Sequence, residues 1–235
     1  MSNEEVQVSQ VRESEASAGH ARAIPTRAKY LRAPEPSSIR PAWSAREGAR
    51  VRYLIGVTGA SGVAYGHRLI EVLGDRADVI LTRDAEEVIR LETDLSAEAF
   101  TKGAHAVYRG DDLAAPPSSG SHRFEALIVV PCSGTTLAKI AAGIADTLVS
   151  RAAAVALKEG RRMVLVPRET PLSPIALENM LKLSRLGVTI LPATPGFYGR
   201  PTKVQDLVDF VVARILDHLG VDHVLGTRWE GPPPG

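Results

Sequence analysis

Two short segments rich in glycine and hydroxyl side chains each follow a predicted buried strand and precede a predicted helix. The first, T-G-A-S-G, runs from Thr58 to Gly62, and the second, P-C-S-G-T-T, runs from Pro131 to Thr136. Glycine lets the backbone turn tightly, and the following helix points its first amides at an anion. The first turn therefore predicts a phosphate site, the alternative being an ordinary strand-to-helix turn. The two turns together predict convergence on one ligand. The first turn is neither a Walker sequence nor a full GxGxxG, which argues against ATP and NAD.

Cysteine and histidine are the next candidates for chemistry. Cys132 has no His near it in the sequence, so we expect it to serve packing where a buried strand ends rather than to act as a nucleophile. None of the six His residues has a partner at metal-ligand spacing. We therefore expect the His residues in loops or at the surface, and we expect no metal site.

A third group of candidates is cationic. Arg168 and Glu169 follow a predicted strand, where an Arg can bind a phosphate oxygen while the neighbouring carboxylate manages a proton. A structural salt bridge between the two side chains is the alternative. Arg161 and Arg162 are expected to be solvated. Further cationic candidates lie on predicted helices: Arg151, Lys158 and Arg214.

A fourth candidate is the segment G-F-Y at residues 196–198, which carries two aromatic rings. It follows a predicted strand and is flanked by Pro192, Pro195 and Pro201. Because proline restricts the backbone, the segment predicts a rigid loop that presents its rings to a ligand. The alternative is that the rings plug the core.

Short apolar runs alternate with helical patterns from about residue 52 onward, which predicts a chain of alternating strands and helices. The apolar runs are continuous, so they predict a parallel sheet that helices cover on both faces. The carboxyl ends of such strands meet at one edge, where ligands bind near a topological switch point. The stretch 103–123 is expected to be a loop with one short strand near Val107. The predicted strands are 52–57, 78–81, 126–130, 163–166 and 188–191, and the predicted helices are 63–73, 84–91, 135–142, 148–159, 175–186 and 203–219.

The whole-chain composition limits the possible classes of protein. The chain has 235 residues, 44% hydrophobic and 23% charged, which is ordinary globular usage and excludes wholesale disorder, collagen and coiled coil. A formal charge of +1 gives no global attraction for nucleic acid or acidic membranes, so we expect neither as a partner. A single Cys cannot form an intrachain disulfide, and no apolar run is long enough to span a bilayer, so we expect a cytoplasmic protein.

Three regions are distinguished along the chain. Residues 1–50 are rich in Ser, Ala, Glu, Arg and Pro without apolar periodicity, which predicts a flexible, disordered extension; a partner-binding arm is the alternative. Residues 51–225 are predicted to form a single domain. Residues 226–235, which include three consecutive prolines, are predicted to form a tail.

These motifs, in this order, resemble the UbiX-type flavin prenyltransferases, formerly described as aromatic acid decarboxylases. The similarity runs from Tyr53 to Trp229, and although each motif alone is weak, all are in register. They are I-G-V-T-G-A-S-G at 55–62, L-E-T-D at 91–94, A-P-P-S-S-G-S at 115–121, P-C-S-G-T-T-L-A-K-I-A-A-G at 131–143, R-A-A at 151–153, V-P-R-E-T-P-L-S at 166–173, L-E-N-M-L-K-L at 177–183 and P-A-T-P-G-F-Y at 192–198.

The resemblance implies a three-layer αβα fold of the flavodoxin-like, Rossmann-like type, with a doubly wound and mainly parallel sheet. It implies a homo-oligomer, often a dodecamer, in which the flavoprotein domain binds FMN between subunits. The implied reaction is the alkylation of reduced FMN at N5 by dimethylallyl monophosphate, followed by ring closure at C6, which gives prenylated FMN and phosphate. A UbiD-type decarboxylase is the implied user of the product.

The resemblance also assigns site residues. Glu169 is the candidate for proton transfer to the leaving phosphate, and Ser61 and Glu92 are the candidates for handling the proton at N5. Thr82 stands where relatives commonly have Ser, and the segment 113–114 stands where relatives can carry a Trp. FMN contacts are expected at Gly59, Ala60, Ser61, Thr82, Ser133, Gly134, Thr135, Thr136 and Arg151. Prenyl-phosphate contacts are expected at Lys158, Arg168, Glu169, Tyr198, Arg214 and Trp229.

The residue types fit this chemistry. Breaking an allylic C–O bond leaves negative charge on the phosphate while positive charge develops on the prenyl group. Lys158, Arg168 and Arg214 supply cations for the phosphate. Tyr198 and Trp229 supply cation–π stabilisation for the prenyl group. Three cations also make Mg²⁺ unnecessary, and the sequence has no Asp-rich cluster of the kind that holds metal for diphosphate donors.

Two alternative functions share parts of the pattern. The flavin-dependent cysteine decarboxylases have similar FMN-binding turns but use an active-site His soon after the first helix, whereas His67 lies on the predicted first helix. A non-catalytic flavin carrier would keep both glycine-rich turns without needing cations for a prenyl phosphate. The cationic candidates therefore favour the transferase.

Overall fold

A computed structural model describes residues 51–226, 228 and 231 of the chain. The expected extension at 1–50 and, among the expected site residues, Trp229 lie outside the described residues. The strands are β1 (Tyr53–Val57), β2 (Ala77–Leu81), β3 (Ala106–Arg109), β4 (Ala126–Cys132), β5 (Arg162–Pro167) and β6 (Thr189–Ile190). The helices are α1 (Val63–Leu73), α2 (Arg83–Glu92), α3 (Ala97–Phe100), α4 (Gly134–Ala142), α5 (Leu148–Lys158), α6 (Pro174–Arg185) and α7 (Val204–Leu219). None of the described helices combines the length and the apolar character that a membrane crossing requires.

The strands form one six-stranded sheet in the order β3-β2-β1-β4-β5-β6, and every neighbouring pair is parallel. Tyr53 of β1 is in register with Ala77 of β2 on one side and with Ala126 of β4 on the other. The chain runs outward from β1 to one edge and then from β4 to the other, so the switch point lies between β1 and β4. The predicted three-layer, doubly wound architecture is confirmed, and the described sheet is wholly parallel.

Each face of the sheet has its own hydrophobic cluster because alternate strand residues point to opposite faces. Ile55 and Val57 of β1 pack with α1 and α7 on one face, whereas Leu54 packs with α4 and α5 on the other. A Cβ at Gly56 would lie 3.1 Å from a methyl carbon of Val149, so α5 packs directly against β1 at this glycine. The two helical layers thereby fix β1 and β4, whose carboxyl ends carry the candidate turns.

Most predicted elements are present, with small differences at their ends. Helix α1 has the predicted bounds, and β3 is the short strand expected near Val107. Helix α3 is not predicted from the sequence. It has four residues, its first turn is capped by Ser96, and its Phe100 side chain is fully buried. A helix of one turn is too short to show helical periodicity in a sequence.

A buried carboxylate lies at the opposite edge of the sheet, where the strands begin. Asp78 of β2 is 1% exposed, and its Oδ1 atom lies 2.8 Å from Nδ1 of His105. Nη1 of Arg52 and Nε2 of His122 each lie 3.6 Å from this carboxylate. His122 lies in a loop, as expected, but its Nε2 atom is enclosed beside Asp78.

The Arg161 guanidinium, which was expected to be solvated, is part of the same region. Its carbon Cζ lies 4.4 Å from the centroid of the Phe124 ring. It donates hydrogen bonds to the carbonyls of His122, at 2.7 Å, and of Gly120, at 2.6 Å. A cation–π contact and two carbonyl acceptors replace its hydration, so Arg161 fixes the loop that leads into β4.

We expect the free energy of unfolding to decrease as the pH is lowered below about 6.5. Burial lowers the pKa of the His122 imidazole, although the Asp78 charge opposes the shift. The unfolded chain therefore binds this proton more readily than the folded protein between the lowered pKa and about 6.5, and stability is lost as the pH falls through that interval. Urea unfolding at pH 7.5 and 5.5 measures the loss, which should be smaller for His122→Gln. An unchanged loss in that variant would contradict the assignment.

Candidate functional site

The two glycine-rich turns are joined by the hydroxyl of Thr58. Thr58 follows β1 and is 1% exposed. Its Oγ1 atom donates a hydrogen bond to the carbonyl of Pro131 and accepts one from the amide of Ser133, both at 2.8 Å. The sequence analysis included Thr58 in the first turn but assigned it no role, since its partners are more than seventy residues away. The convergence of both turns at the switch point, predicted from the strand ends, is therefore observed.

The first turn has no room for a side chain at Gly59, because a Cβ there would overlap the Cβ of Asp84. Gly62, at φ 98°, precedes α1. Its amide donates to the Glu92 carboxylate at 2.8 Å, and the amide of Val63 donates to the same group at 3.2 Å. The structure thus places a carboxylate of the protein itself at the helix terminus where the turn predicted a phosphate. Glu92 is brought into the site by this contact.

The second turn is capped by Ser133, whose Oγ atom accepts a hydrogen bond from the Thr136 amide at 3.2 Å and donates one to Thr136 Oγ1 at 2.9 Å. Gly134 and Thr135 are exposed at the start of α4. The cap uses the Thr136 amide and leaves the amides of these two residues to solvent or a ligand. The positive end of a helix favours an anion there.

A third turn, between β2 and α2, adjoins the first. Thr82 caps α2 by accepting a hydrogen bond from the Ala85 amide at 3.2 Å. The Thr82 amide donates to the carbonyl of Val57 at 3.2 Å, which fixes it beside the end of β1. The three turns at the ends of β2, β1 and β4 therefore form one continuous edge.

Arg168 and Glu169, which follow β5, reach these turns. Cγ of Arg168 lies 3.9 Å from the position that a Cβ on Gly62 would take. Oε2 of Glu169 lies 3.7 Å from the corresponding position on Gly134. Within the described part of the chain the two side chains do not pair with each other, so the alternative of a structural salt bridge is not observed. The aliphatic part of the Arg168 side chain and the carboxylate of Glu169 thus lie beside the two turns.

Two further cationic candidates lie on α5, with Arg151 in its first turn and Lys158 as its last residue. Arg151 is exposed. Nζ of Lys158 lies 3.5 Å from Oε1 of Glu159, and both side chains lie beside Gly120 in the A-P-P-S-S-G-S loop. The Lys158 side chain is 63% exposed, so the ion pair does not enclose it. Arg151 and Lys158 therefore both remain accessible to a negatively charged ligand.

Tyr198 and Arg214 share a different cavity, of about 330 Å³, against α7. The ring of Tyr198 meets that of Phe210 edge to face, with centroids 5.7 Å apart. Tyr198 is 48% exposed and Phe197 is 69% exposed, so the alternative that these aromatic rings plug the core is wrong. The same cavity contains His223, which lies in a loop, as expected, and whose side chain is only 3% exposed.

Cys132 has no catalytic environment in the structure. Its side chain is 1% exposed, and burial raises the pKa of its thiol to about 12. The Sγ atom lies 3.7 Å from the carbonyl of Ser133. The thiol is therefore protonated at neutral pH, in keeping with the packing role expected from the sequence.

We expect iodoacetamide to label folded Cys132 about 10³-fold more slowly than the unfolded chain at pH 8, because the thiolate is the nucleophile and its pKa rises from 9.0 to about 12. The protein has one Cys, so the extent of labelling, measured by mass spectrometry, reports this residue alone. The matched control is the same labelling in urea. Equal rates in the two states would show that the thiol is activated in the fold.

The residues at the sheet edge fit the expected FMN. Gly59 lets α2 pack closely against the first turn, and the start of α4 offers amides for the phosphate of FMN. The Arg168 guanidinium has no carboxylate partner among the described residues. No group of three or more His, Cys, Asp or Glu side chains in the described ranges is arranged to hold a metal ion.

Comparison with known proteins identifies the family. The family model named Flavoprotein matches residues 42–216. The flavin prenyltransferase UbiX of Thermoplasma acidophilum is 50% identical over 180 residues, which cover 76% of this chain and 100% of the relative. The solved structure of a dodecameric FMN-dependent UbiX-like decarboxylase from Escherichia coli O157:H7 has 48% identity and a TM-score of 0.74, covering 77% of this chain and 100% of that chain. The solved structure of AnUbiX (PadA1) in complex with FMN and dimethylallyl pyrophosphate has 42% identity and a TM-score of 0.76, covering 78% and 99%.

These matches concern the described domain, and they cover the relatives over essentially their full length. They agree with the order of the motifs at residues 55–198 and with the wholly parallel sheet. The chain belongs to the UbiX flavin prenyltransferases, which are flavoproteins and prenyl-transferring enzymes.

Proposed function

We propose that the protein transfers a dimethylallyl group from dimethylallyl monophosphate to N5 and C6 of reduced FMN, giving prenylated FMN and phosphate. The observation that carries the proposal is the convergence of Arg168 and Glu169 on the two turns joined by Thr58. The solved relative in complex with FMN and dimethylallyl pyrophosphate supports the flavin and a dimethylallyl donor; the monophosphate form is part of the proposal.

FMN binds along the edge formed by the three turns. Its phosphate is held by the exposed amides at the start of α4, and the narrow Gly59 turn packs against the ring system. Reduced FMN supplies the nucleophilic N5 and C6 atoms. The contacting residues in this proposal are Gly59, Ala60, Ser61, Thr82, Ser133, Gly134, Thr135, Thr136 and Arg151.

The prenyl phosphate binds where cations and a proton donor meet. Arg168 neutralises the charge that develops on the phosphate as the C–O bond breaks, assisted by Lys158 and Arg214. Glu169 transfers a proton to the leaving phosphate. The developing allylic cation is stabilised by the face of Tyr198 and by Trp229. Three cations replace the metal ion that a diphosphate donor requires, so the reaction is metal-independent.

Glu92 and Ser61 manage the proton at N5. Glu92 is held by two amides of the first turn, so its carboxylate has a fixed orientation beside that turn. Ser61 belongs to the same turn and is exposed, so its hydroxyl can face the ligand. A fixed acceptor and a rotatable hydroxyl together can relay one proton away from the flavin.

The active form is a homo-oligomer, with FMN between subunits. In one subunit the described contacts leave Arg168 and Glu169 at the sheet edge and Tyr198 and Arg214 in the cavity against α7. Association of copies brings the two sets to one ligand. The dodecameric assembly of the Escherichia coli relative supports this arrangement. We place the protein in the cytoplasm and assign a UbiD-type decarboxylase as the user of prenylated FMN.

The test is an anaerobic incubation of the purified protein with reduced FMN and dimethylallyl monophosphate in the presence of a metal chelator. Mass spectrometry of the extracted flavin should show FMN heavier by one dimethylallyl unit. The matched controls are oxidised FMN and the diphosphate donor. Unmodified FMN that copurifies with the protein would overturn the transferase in favour of a flavin carrier. Product that forms from the diphosphate and not from the monophosphate would show that the diphosphate is the donor.

A further inference from the structure

We propose that Asp217 is a positioning residue for the prenyl donor: it orients the Arg214 guanidinium and fastens the segment 221–228 to α7. The proposal rests on the proposed function, in which Arg214 binds the donor phosphate. It adds to that function a residue that contacts neither substrate and acts through Arg214. The positioning of a guanidinium matters because a free arginine side chain has many rotamers, and ordering it at the moment of binding costs free energy.

One carboxylate connects three partners at the cavity. Asp217 lies one turn after Arg214 on α7, and its Oδ2 atom accepts a hydrogen bond from Arg214 Nη1 at 2.9 Å. Its Oδ1 atom accepts from Nε2 of His223 and from Nη2 of Arg228, both at 3.1 Å. Asp217 is 25% exposed and His223 only 3%, so the contact between these two side chains is largely shielded from water. Together with Arg214 and Arg228 they form a charged junction. All four residues line the same cavity as Tyr198.

The hydrogen bonds of His223 define its tautomer. The amide of Leu225 donates to Nδ1 of His223 at 3.2 Å, so Nδ1 carries the lone pair. The ring proton is therefore on Nε2, where it is donated to Asp217. A neutral His223 thus engages both ring nitrogens in hydrogen bonds. It contacts Oδ1 of Asp217, whereas Arg214 contacts Oδ2. Asp217 thus links the segment after α7 to the helix, in addition to the packing of Val221 and Leu225 against the core.

The charge at this junction suits an anionic donor. Burial opposes ionisation of Asp217, but the hydrogen bond from His223 and the charges of Arg228 and Arg214 outweigh it and lower the pKa of the carboxyl. The ionised Asp217 engages one terminal nitrogen of Arg214 and leaves the rest of the guanidinium, which is 60% exposed, to a phosphate. With Arg214 and Arg228 positive and Asp217 negative, the junction keeps one net positive charge when His223 is neutral.

The contacts of Asp217 lie at the cavity against α7, which holds Tyr198 and Arg214, two residues proposed to bind the donor. Loss of Asp217 should affect the donor and leave FMN binding intact, since the FMN-binding turns make no described contact with Asp217.

The test compares Asp217→Asn with Asp222→Asn, a matched control on an exposed residue of the same segment. We expect Asp217→Asn to raise KM for dimethylallyl monophosphate by about tenfold, with the dissociation constant of FMN unchanged, and Asp222→Asn to change neither. In an Arg214→Ala background the Asp217→Asn change should add little, because both act through one guanidinium. An unchanged KM in Asp217→Asn, or full additivity with Arg214→Ala, would overturn the proposal.

A second measurement separates failure of this inference from failure of the proposed function. Hydrogen exchange of the amides at 221–226 should become faster in Asp217→Asn than in the parent, whether or not the protein transfers a prenyl group. Absence of product from the parent protein would refute the function. Unchanged exchange in the variant would refute the anchoring role of Asp217 on its own. His223→Gln, which keeps a donor for Asp217, should show less increase than His223→Phe.

Discussion

Replacement of Arg168 by alanine should lower kcat/KM for prenyl transfer by about 10²- to 10³-fold. The expected cause is the loss of a guanidinium whose side-chain stem lies beside the Gly62 turn and which has no carboxylate partner in the described part of the chain. Such a cation gains most when negative charge builds on the leaving phosphate, so kcat should fall together with kcat/KM. Anaerobic initial rates, with prenylated FMN quantified by mass spectrometry, measure the effect.

The control for this variant is Arg185→Ala, which removes an exposed guanidinium at the end of α6. It should prenylate FMN at the parental rate. Glu169→Gln tests the neighbouring carboxyl, because glutamine keeps the shape but cannot donate a carboxyl proton. A parental rate in both Arg168→Ala and Glu169→Gln would remove the pair from the mechanism and return both residues to a structural role.

Replacement of Thr58 by valine should destabilise the protein by about 1–3 kcal/mol and weaken FMN binding. Valine has nearly the same shape but leaves the buried amide of Ser133 without its acceptor and removes one donor from the Pro131 carbonyl. Because this hydroxyl holds the two FMN-binding turns together, their separation becomes less well defined. Urea unfolding and fluorescence titration with FMN measure the two effects.

Thr58→Ser is the matched control, since it keeps the hydroxyl and loses only a methyl group. It should recover most of the stability and of the FMN affinity. An unfolding midpoint in Thr58→Val equal to that of the parent would mean that the turns are held by the strands alone. The same midpoint with weaker FMN binding would confine the role of Thr58 to the ligand site.

The sequence predicts the architecture well because the fold depends on local patterns. The apolar runs of β1, β2 and β4 are buried on both faces, and that is the pattern of a parallel sheet between helical layers. Parallel strands end at one edge, so the meeting of the two turns also follows from the sequence. The short helix α3 does not, because one turn carries no periodicity.

The parts of the site that the sequence does not predict depend on distant partners. The Glu92 carboxylate accepts a hydrogen bond from the amide of Gly62, which is thirty residues away in the sequence. No local sequence pattern indicates that contact. In the sequence, Arg161 stands beside Arg162 and is expected to be solvated. In the fold its guanidinium contacts the Phe124 ring and two backbone carbonyls. The His223 contact with Asp217 is closer in sequence, yet it requires the chain to reverse after α7. Such contacts follow from tertiary packing and not from residue spacing.

The bond between Thr58 and Pro131 spans 73 residues, which has a consequence for the order of events in biosynthesis. Strand β1 emerges from the ribosome early and can pair with β2, but its other neighbour is β4. Contacts so distant along the chain form slowly, because the loop must close before the strands can pair. The flavin site is therefore among the last features to be completed, and a nascent chain truncated before β4 should not retain FMN. Flavin capture would then report complete folding of the domain.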